Sequence, residues 1–369
     1  MSILIFIFVL VVLIVVHELG HFIVAKMVDM RVDEFGLGYP PRALVLGKKG
    51  ETLYTLNWLP FGGFVKIFGE NSEQLLVDGS EKDPRAFTSK NRLAQAFVLV
   101  AGVAMNLMFA YVLITGALIA GTPRALTPEE LGNAKQIELA VGSIVPGSPA
   151  ASTSIMPGDS ILGAKTATTE WRAADPKSFS AFVDQTKGAP LTLTVKHNGK
   201  EEAVTTAAKN GLVQSDPGRY VLGLQVGTIG VVPLSPWTAL TYGAQLTWDS
   251  VVLTAEGLGH FFFSFFTFSA DLSQVSGPVG IAGVVGAASG QGIGDLLSIM
   301  AIISINLALI NLIPIPALDG GRLLFVIIES IIRRPIRPAI AYGLNAAGFV
   351  ALVLLMVVVT VHDIYKLFI

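Results

Sequence analysis

Four stretches of the chain are apolar for long enough to cross a bilayer, which takes about 20 residues in helical form. They run from about Ile3 to Val24, Phe97 to Ala120, Leu296 to Ile315 with a continuation from Leu323, and Ile340 to Val361. Between the first two the pattern changes period. Thr52-Leu53-Tyr54-Thr55-Leu56-Asn57-Trp58 alternates imperfectly, inside a segment from Arg31 to Phe68 broken by Gly36, Gly38, Pro40, Pro41, Gly47, Gly50, Gly62 and Gly63. That combination reads as extended chain, yet it is too apolar for a loop in water. Non-helical backbone is tolerated at membrane depth where it lines a cavity. The segment is therefore expected to form a re-entrant sheet, whose open edge can hold a substrate by strand addition; an ordinary surface hairpin is the alternative. Asn71 to Arg92 is polar and reads as a helix or linker.

From about Glu138 to Ala208 the pattern is that of a small water-exposed domain. Leu139 to Val145 is a strand candidate, Pro146-Gly147-Ser148-Pro149 and Pro157-Gly158-Asp159 are turns, and Phe179 to Thr186 is a short helix. Leu191 to Lys196 alternates cleanly into His197-Asn198-Gly199-Lys200, an Asn-Gly hairpin turn in which His197 is a turn residue rather than a ligand. This order resembles a PDZ domain. Pro236 to Ser269 is aromatic and apolar but interrupted by Thr241, Gln245, Asp249, Glu256 and His260. With Trp237 and Trp248 it suits a helix lying in the membrane interface; a fifth span is the alternative. The chain thus divides into a membrane half (1–121), a PDZ-like domain (122–225, core 138–208), an interfacial segment (226–295) and a second membrane half (296–369).

Composition agrees: of 369 residues, 52% are apolar and 14% charged. The formal net charge is -2 and there is no long basic run, which argues against nucleic acid as a partner. The chain has no cysteine, so disulfides and thiolate ligands are excluded. The first apolar run lacks a basic lead and a small-residue cleavage site, so it is expected to be retained. Basic residues between spans one and two, and Arg333, Arg334 and Arg337 between spans three and four, point those segments to the cytoplasm. The section from Thr122 to Asp295 is then expected outside.

Within the first span lies Val16-His17-Glu18-Leu19-Gly20-His21-Phe22, holding two of the five histidines. His17 and His21 are one helical turn apart on one face, the spacing a metal needs. Imidazoles suit zinc, and a neighbouring carboxylate can take a proton from the metal's water, which gives Glu18 a role without making it a ligand. Ionisable residues in a membrane segment are costly and mark function. A catalytic zinc takes three protein ligands plus an open position, and none follows nearby in the sequence. The best third candidate is Asp319, in Asn311-Leu312-Ile313-Pro314-Ile315-Pro316-Ala317-Leu318-Asp319-Gly320-Gly321, where two prolines break the third span. In the second span, Gly102 precedes Asn106 by one turn. Close helix packing is one reading; contact of Asn106 with a substrate or with the active-site helices is another.

Together, His-Glu-x-x-His and Asn-x-x-Pro-x-Pro-x-Leu-Asp-Gly-Gly resemble the site-2 protease family of intramembrane zinc metalloproteases. The PDZ-like insertion and Phe61-Gly62-Gly63-Phe64-Val65 resemble its bacterial regulator-of-sigma-E branch. The resemblance implies an α-helical polytopic membrane protein with four transmembrane helices, a re-entrant β-sheet near the active site and one extracytoplasmic PDZ-like α/β domain. It implies Zn2+ held by His17, His21 and Asp319, Glu18 as general base, and Asn311, Pro314 and Pro316 near the substrate. Ser276-Gly277-Pro278-Val279-Gly280 also matches a family-like stretch. The implied reaction is hydrolysis within membrane-spanning segments of pre-trimmed proteins, including anti-sigma factors and signal-peptide remnants, in a bacterial inner membrane. Two departures are visible: one PDZ-like domain rather than two, and Ser154-Ile155-Met156 where Gly-Leu is usual. A membrane zinc transporter and an inactive PDZ scaffold are the competing readings.

Overall fold

Each long apolar run folds as one helix, because backbone groups away from water must satisfy one another within the segment. In the computed structural model these helices are α1 (Ser2–Met27) and α2 (Arg92–Ala120) in the first part of the chain. Residues 2–70, 83–127, 129–197, 199–212, 216–267 and 276–366 are described; most of the polar segment expected from Asn71 to Arg92 lies outside them, as does Asn198. Asn91 starts α2 by accepting a hydrogen bond from the Ala94 N–H at 2.7 Å, a side-chain cap for a helix that begins at the polar boundary. Among the described residues, four helices are long and apolar enough to span a membrane, at Ile3–Met27, Arg92–Ala120, Ile293–Leu312 and Ala339–Tyr365.

The chain separates into two compact units, Met1–Ala117 with Pro236–Ile369, and Leu118–Ser235. In the first, β1 (Val32–Lys49) and β2 (Thr52–Ile67) form the expected extended region. Both strands are so bent that they act as four segments. Arg42 to Lys49 pairs with Thr52 to Asn57, which also lies beside Glu34 to Leu37; the other side of that early part of β1 pairs with Gly63 to Ile67. Gly36 permits this folding-back, since a Cβ there would meet the Phe64 ring at 2.4 Å. Phe22 of α1 packs edge-on against Phe35 and Tyr54 and fastens the hairpin to the helix.

The same unit holds α4 (Pro236–Phe266), α5 (Pro278–Gln291), α6 (Ile293–Leu312), α7 (Asp319–Ile332) and α8 (Pro338–Lys366); α3 belongs to the other unit. The third apolar run ends as a helix at Leu312 rather than Ile315, and the continuation expected from Leu323 lies in α7, a separate helix beyond the two prolines. The family-like Ser276–Gly280 stretch turns out to begin α5. Its Gly280 N–H donates at 2.8 Å to the buried Asp363 of α8, a cap supplied from another helix for amides that α5 cannot satisfy itself.

The second unit is a sheet with strand order β3 (Pro123–Ala125), β9 (Leu224–Val231), β4 (Lys135–Ile144), β5 (Ser160–Lys165), β7 (Pro190–His197), β8 (Lys200–Ala207), with β6 (Glu170–Trp171) on β5. The boundary expected at 225 falls inside β9, which pairs with both β3 and β4. The core expected to end at 208 therefore misses a central strand, whose Gly-rich, weakly alternating sequence gave no strong period. Helix α3 (Pro176–Gln185) has Asp175 as its cap, accepting from the Lys177 and Ser178 N–H groups, and buries Phe179 and Val183 against Trp171, Leu191 and Leu193.

Arg124 pairs with Glu130 at the start of this unit. The guanidinium, together with the Thr127 N–H, holds the Glu130 carboxyl down from the usual 4.5 to about 2. A carboxylate lowered on folding stabilises above its unfolded pKa and loses that contribution as pH falls through the folded value. Glu130→Gln is accordingly expected to melt lower than wild type at neutral pH and to lose less on acidification from 4.5 to 2. Parallel melts over that window check it, and equal pH slopes in both proteins contradict it.

Candidate metal centre

His17 and His21 face one way because α1 is continuous through the pentamer, and both are buried, at 7% and 8% exposure. Asp319 reaches them from 302 and 298 residues away as the first residue of α7. Its Oδ2 lies 3.0 Å from His17 Nε2 and 3.2 Å from His21 Nε2, and the two Nε2 atoms are 3.2 Å apart. Three atoms that accept hydrogen bonds repel one another unless a proton or a cation lies among them. Tetrahedral zinc, with bonds of about 2.0–2.2 Å to nitrogen and oxygen, sets neighbouring donors about 3.3 Å apart. The donor chemistry and the spacing both fit zinc, and all three residues line a cavity. Among the described residues this is the one group of three or more His, Asp and Glu that could hold a metal.

The break that brings Asp319 there is built from close backbone contacts. A Cβ at Gly320 would lie 2.3 Å from the Leu312 carbonyl oxygen, and one at Gly321 would lie 2.2 Å from that of Ile315. Only glycines let α7 start directly on the end of α6. Ala317 in the intervening loop has φ +80°, and its N–H donates to Asn345 Oδ1 of α8 at 3.1 Å. One turn along α8, Gly348 admits the loop, since a Cβ there would sit 2.3 Å from the Pro316 oxygen. This Asn345-x-x-Gly348 clamp is not legible in the sequence, because an amide and a glycine three apart in an apolar helix carry no distinctive signal.

A second wall is supplied by α2. The Val98 carbonyl can only accept, so the 2.7 Å contact from His21 Nδ1 is a donated N–H, which leaves the Nε2 lone pair turned to Asp319. Four residues on, Gly102 lies against both imidazoles: a Cβ would come within 2.4 Å of His21 Nε2 and 2.7 Å of His17 Cε1. Four further, Asn106 is fully buried, with its amide 3.2 Å from His17 Nδ1. Of the readings open to Asn106 from sequence, packing, a substrate or the active-site helices, the structure places it against His17 and outside the lining of the cavity.

In front of the trio is a cavity of about 550 Å³ lined by Glu18, Asn311, Leu307, Arg322 and residues 62–67 of β2 among others. Glu18 is half-buried and packs against Gly63, where a Cβ would sit 3.3 Å from its Cγ. Asn311 lines the same wall. Pro314 and Pro316, expected near the substrate, are not among the residues that line it; they lie in the loop before Asp319. The stretch from Gly63 to Ile67 pairs with β1 along one edge, and among the described residues no strand pairs with the other.

The model of a family described as peptidase family M50 matches residues 5–355. A protein of Clostridium perfringens assigned by name to the zinc metalloproteases is 35% identical over 356 residues, covering 95% of each chain. One of Nostoc, named likewise, is 31% identical over 373 residues, covering 100% of this chain and 97% of its own. Zinc metalloprotease RasP of Oceanobacillus iheyensis is 28% identical over 433 residues, covering 97% of each.

Proposed function

From the premise that the chain belongs to peptidase family M50, the site-2 proteases, and is a membrane zinc metalloprotease, we propose that it hydrolyses peptide bonds inside the membrane-spanning segments of single-span proteins. The observation that carries this is the meeting of His17, His21, Asp319 and Glu18 at one cavity among helices apolar enough to cross a bilayer.

His17, His21 and Asp319 would hold the metal. Bound zinc supplies Lewis acidity and lowers the pKa of its water to about 7. Glu18 takes the proton from the attacking water and returns it to the leaving amine. A substrate helix hides its carbonyls in its own hydrogen bonds, so it must unwind first. The edge of Gly63 to Ile67 with which no strand pairs among the described residues offers replacement backbone partners beside the cavity. Asn311, in the same wall, can hydrogen-bond the opened segment.

The basic cluster Arg333, Arg334 and Arg337 supports a cytoplasmic position for the turn after α7, and with it for the metal centre. The sheet unit is then extracytoplasmic. Its strand order, with α3 between β6 and β7, supports a PDZ-like reading in which it screens substrates already trimmed on that side, anti-sigma factors and signal-peptide remnants among them. A zinc transporter would need further ligands along a path, and the described residues offer one cluster.

The test is cleavage of single-span proteins in liposomes, with the cut located by mass spectrometry and bound zinc assayed. Wild type is expected to cut within the span, and Asp319→Ala to lose zinc and activity together. Cuts confined to water-exposed segments, or an Asp319→Ala protein that keeps both, overturn the proposal.

A further inference from the structure

The proposed reaction uses the face of the histidines that points to Asp319; their other face meets a stripe of α2 that the reaction does not explain. Val98, Gly102 and Asn106 are spaced by four and lie on consecutive turns, against histidines that are also spaced by four. Each imidazole therefore meets its own partner, His21 the Val98 carbonyl and His17 the Asn106 amide.

Asn106 is 0% exposed, and Ser304 of α6 donates to its backbone oxygen at 2.9 Å. Of its side-chain atoms, Nδ2 stands 3.2 Å from His17 Nδ1 while Oδ1 has no hydrogen-bond partner among the described residues. A fully buried amide with one partner is a poor choice for packing alone, where an apolar residue of the same size does better. The two ends of the amide exchange by a half-turn of the side chain and are the same shape. With a cation on His17 Nε2, the ring proton is on Nδ1, and only Oδ1 can accept it.

We infer that Asn106 is a positioning residue: its carbonyl oxygen accepts the Nδ1–H of His17, fixing the ring and its tautomer so that Nε2 is free for the metal. The inference rests on the reading of His17, His21 and Asp319 as zinc ligands. Outer partners of this kind are worth about 10–100-fold in metal affinity. A purely structural role for Asn106 makes the opposite ranking of variants. Packing favours Asn106→Leu, which is apolar and similar in size, over Asn106→Asp, which buries an acid. Positioning favours Asp, which offers the same acceptor, over Leu, which has none.

Zinc affinity of the purified full-length protein, measured by competition with a chelator, separates the two, with melting of the metal-free protein recorded alongside. Asn106→Asp is expected to stay near wild type and Asn106→Leu to bind zinc about 10–100-fold more weakly while melting no lower. Asn106→Ala takes the place of Leu if that variant does not fold. Leu binding zinc as tightly as wild type, or Asp losing as much as Leu, overturns the inference while the ligand assignment stands. Asp319→Ala binding as tightly as wild type overturns the ligand assignment itself, and this inference with it.

Discussion

Adding one methyl group to α2, as Gly102→Ala, is expected to strip the protein of zinc and with it of activity. The new Cβ would lie 2.4 Å from His21 Nε2 and 2.8 Å from His17 Nε2, about an ångström inside ordinary carbon contact distances of about 3.5–4.0 Å. Neither ring has an easy retreat. His21 is tied to Val98 on the same helix that carries the intruding methyl, and α1 and α2 are already in contact at Gly20, where a Cβ would meet the Ala101 oxygen at 2.4 Å. Losing an outer hydrogen-bond partner weakens a metal site by about 10–100-fold. Displacing two ligating nitrogens should exceed that, so at least about 100-fold weaker zinc binding is expected. Gly116→Ala on the same helix is the control. Its Cβ would make an ordinary 3.4 Å contact with Leu297, and zinc binding should not change. A Gly102→Ala protein that binds zinc like wild type contradicts the packing described for the histidines.

Glu18→Gln should separate binding from chemistry. Glutamine has the size of glutamate, and Glu18 is not one of the three converging donors, so zinc content is expected to stay at the wild-type level. The amide cannot accept and return a proton, and general acid–base groups contribute about 10²–10⁴-fold to rate. Cleavage of a single-span protein should fall by that factor, with the metal still in place. Rates for wild type and variant on one substrate, with zinc assayed in the same samples, decide it. If activity stays within about tenfold, the proton is carried by some other group, and Arg322 and Asn311, which also line the cavity, become the residues to change.

These two positions differ in how readily the sequence discloses them. Glu18 sits inside a pentamer whose meaning is local: a helix places residues four apart on one face whatever surrounds it. The same local physics made the four spans legible, because a bilayer demands length and apolarity within a single segment. Asp319 was legible for a related reason, as an acid where prolines break an apolar run and ionisation is costly. Gly102 was not. A glycine in a membrane helix reads as a packing position, and nothing in its neighbours tells that two imidazoles lie against it.

Within the sheet unit the hairpin of β7 and β8 was plain from clean alternation and an Asn-Gly turn. Strand β9 was missed because half of its side chains are small or polar, and its place between β3 and β4 depends on partners about 80 to 110 residues upstream. The four-segment folding of β1 and β2 was likewise invisible, since a run of irregular alternation does not say which edge pairs with which.

The sequence by itself determined the chemistry on offer, two imidazoles, a base and a distant carboxylate, and the membrane in which it works, because each depends on residue type and on spacing along one element. Only the tertiary structure decided which surfaces meet: Asp319 with the histidines, Val98, Gly102 and Asn106 behind them, Asn345 and Gly348 on the loop. Those contacts join helices far apart in the chain, and where two helices cross is set by the packing of whole faces, which no short stretch of sequence encodes.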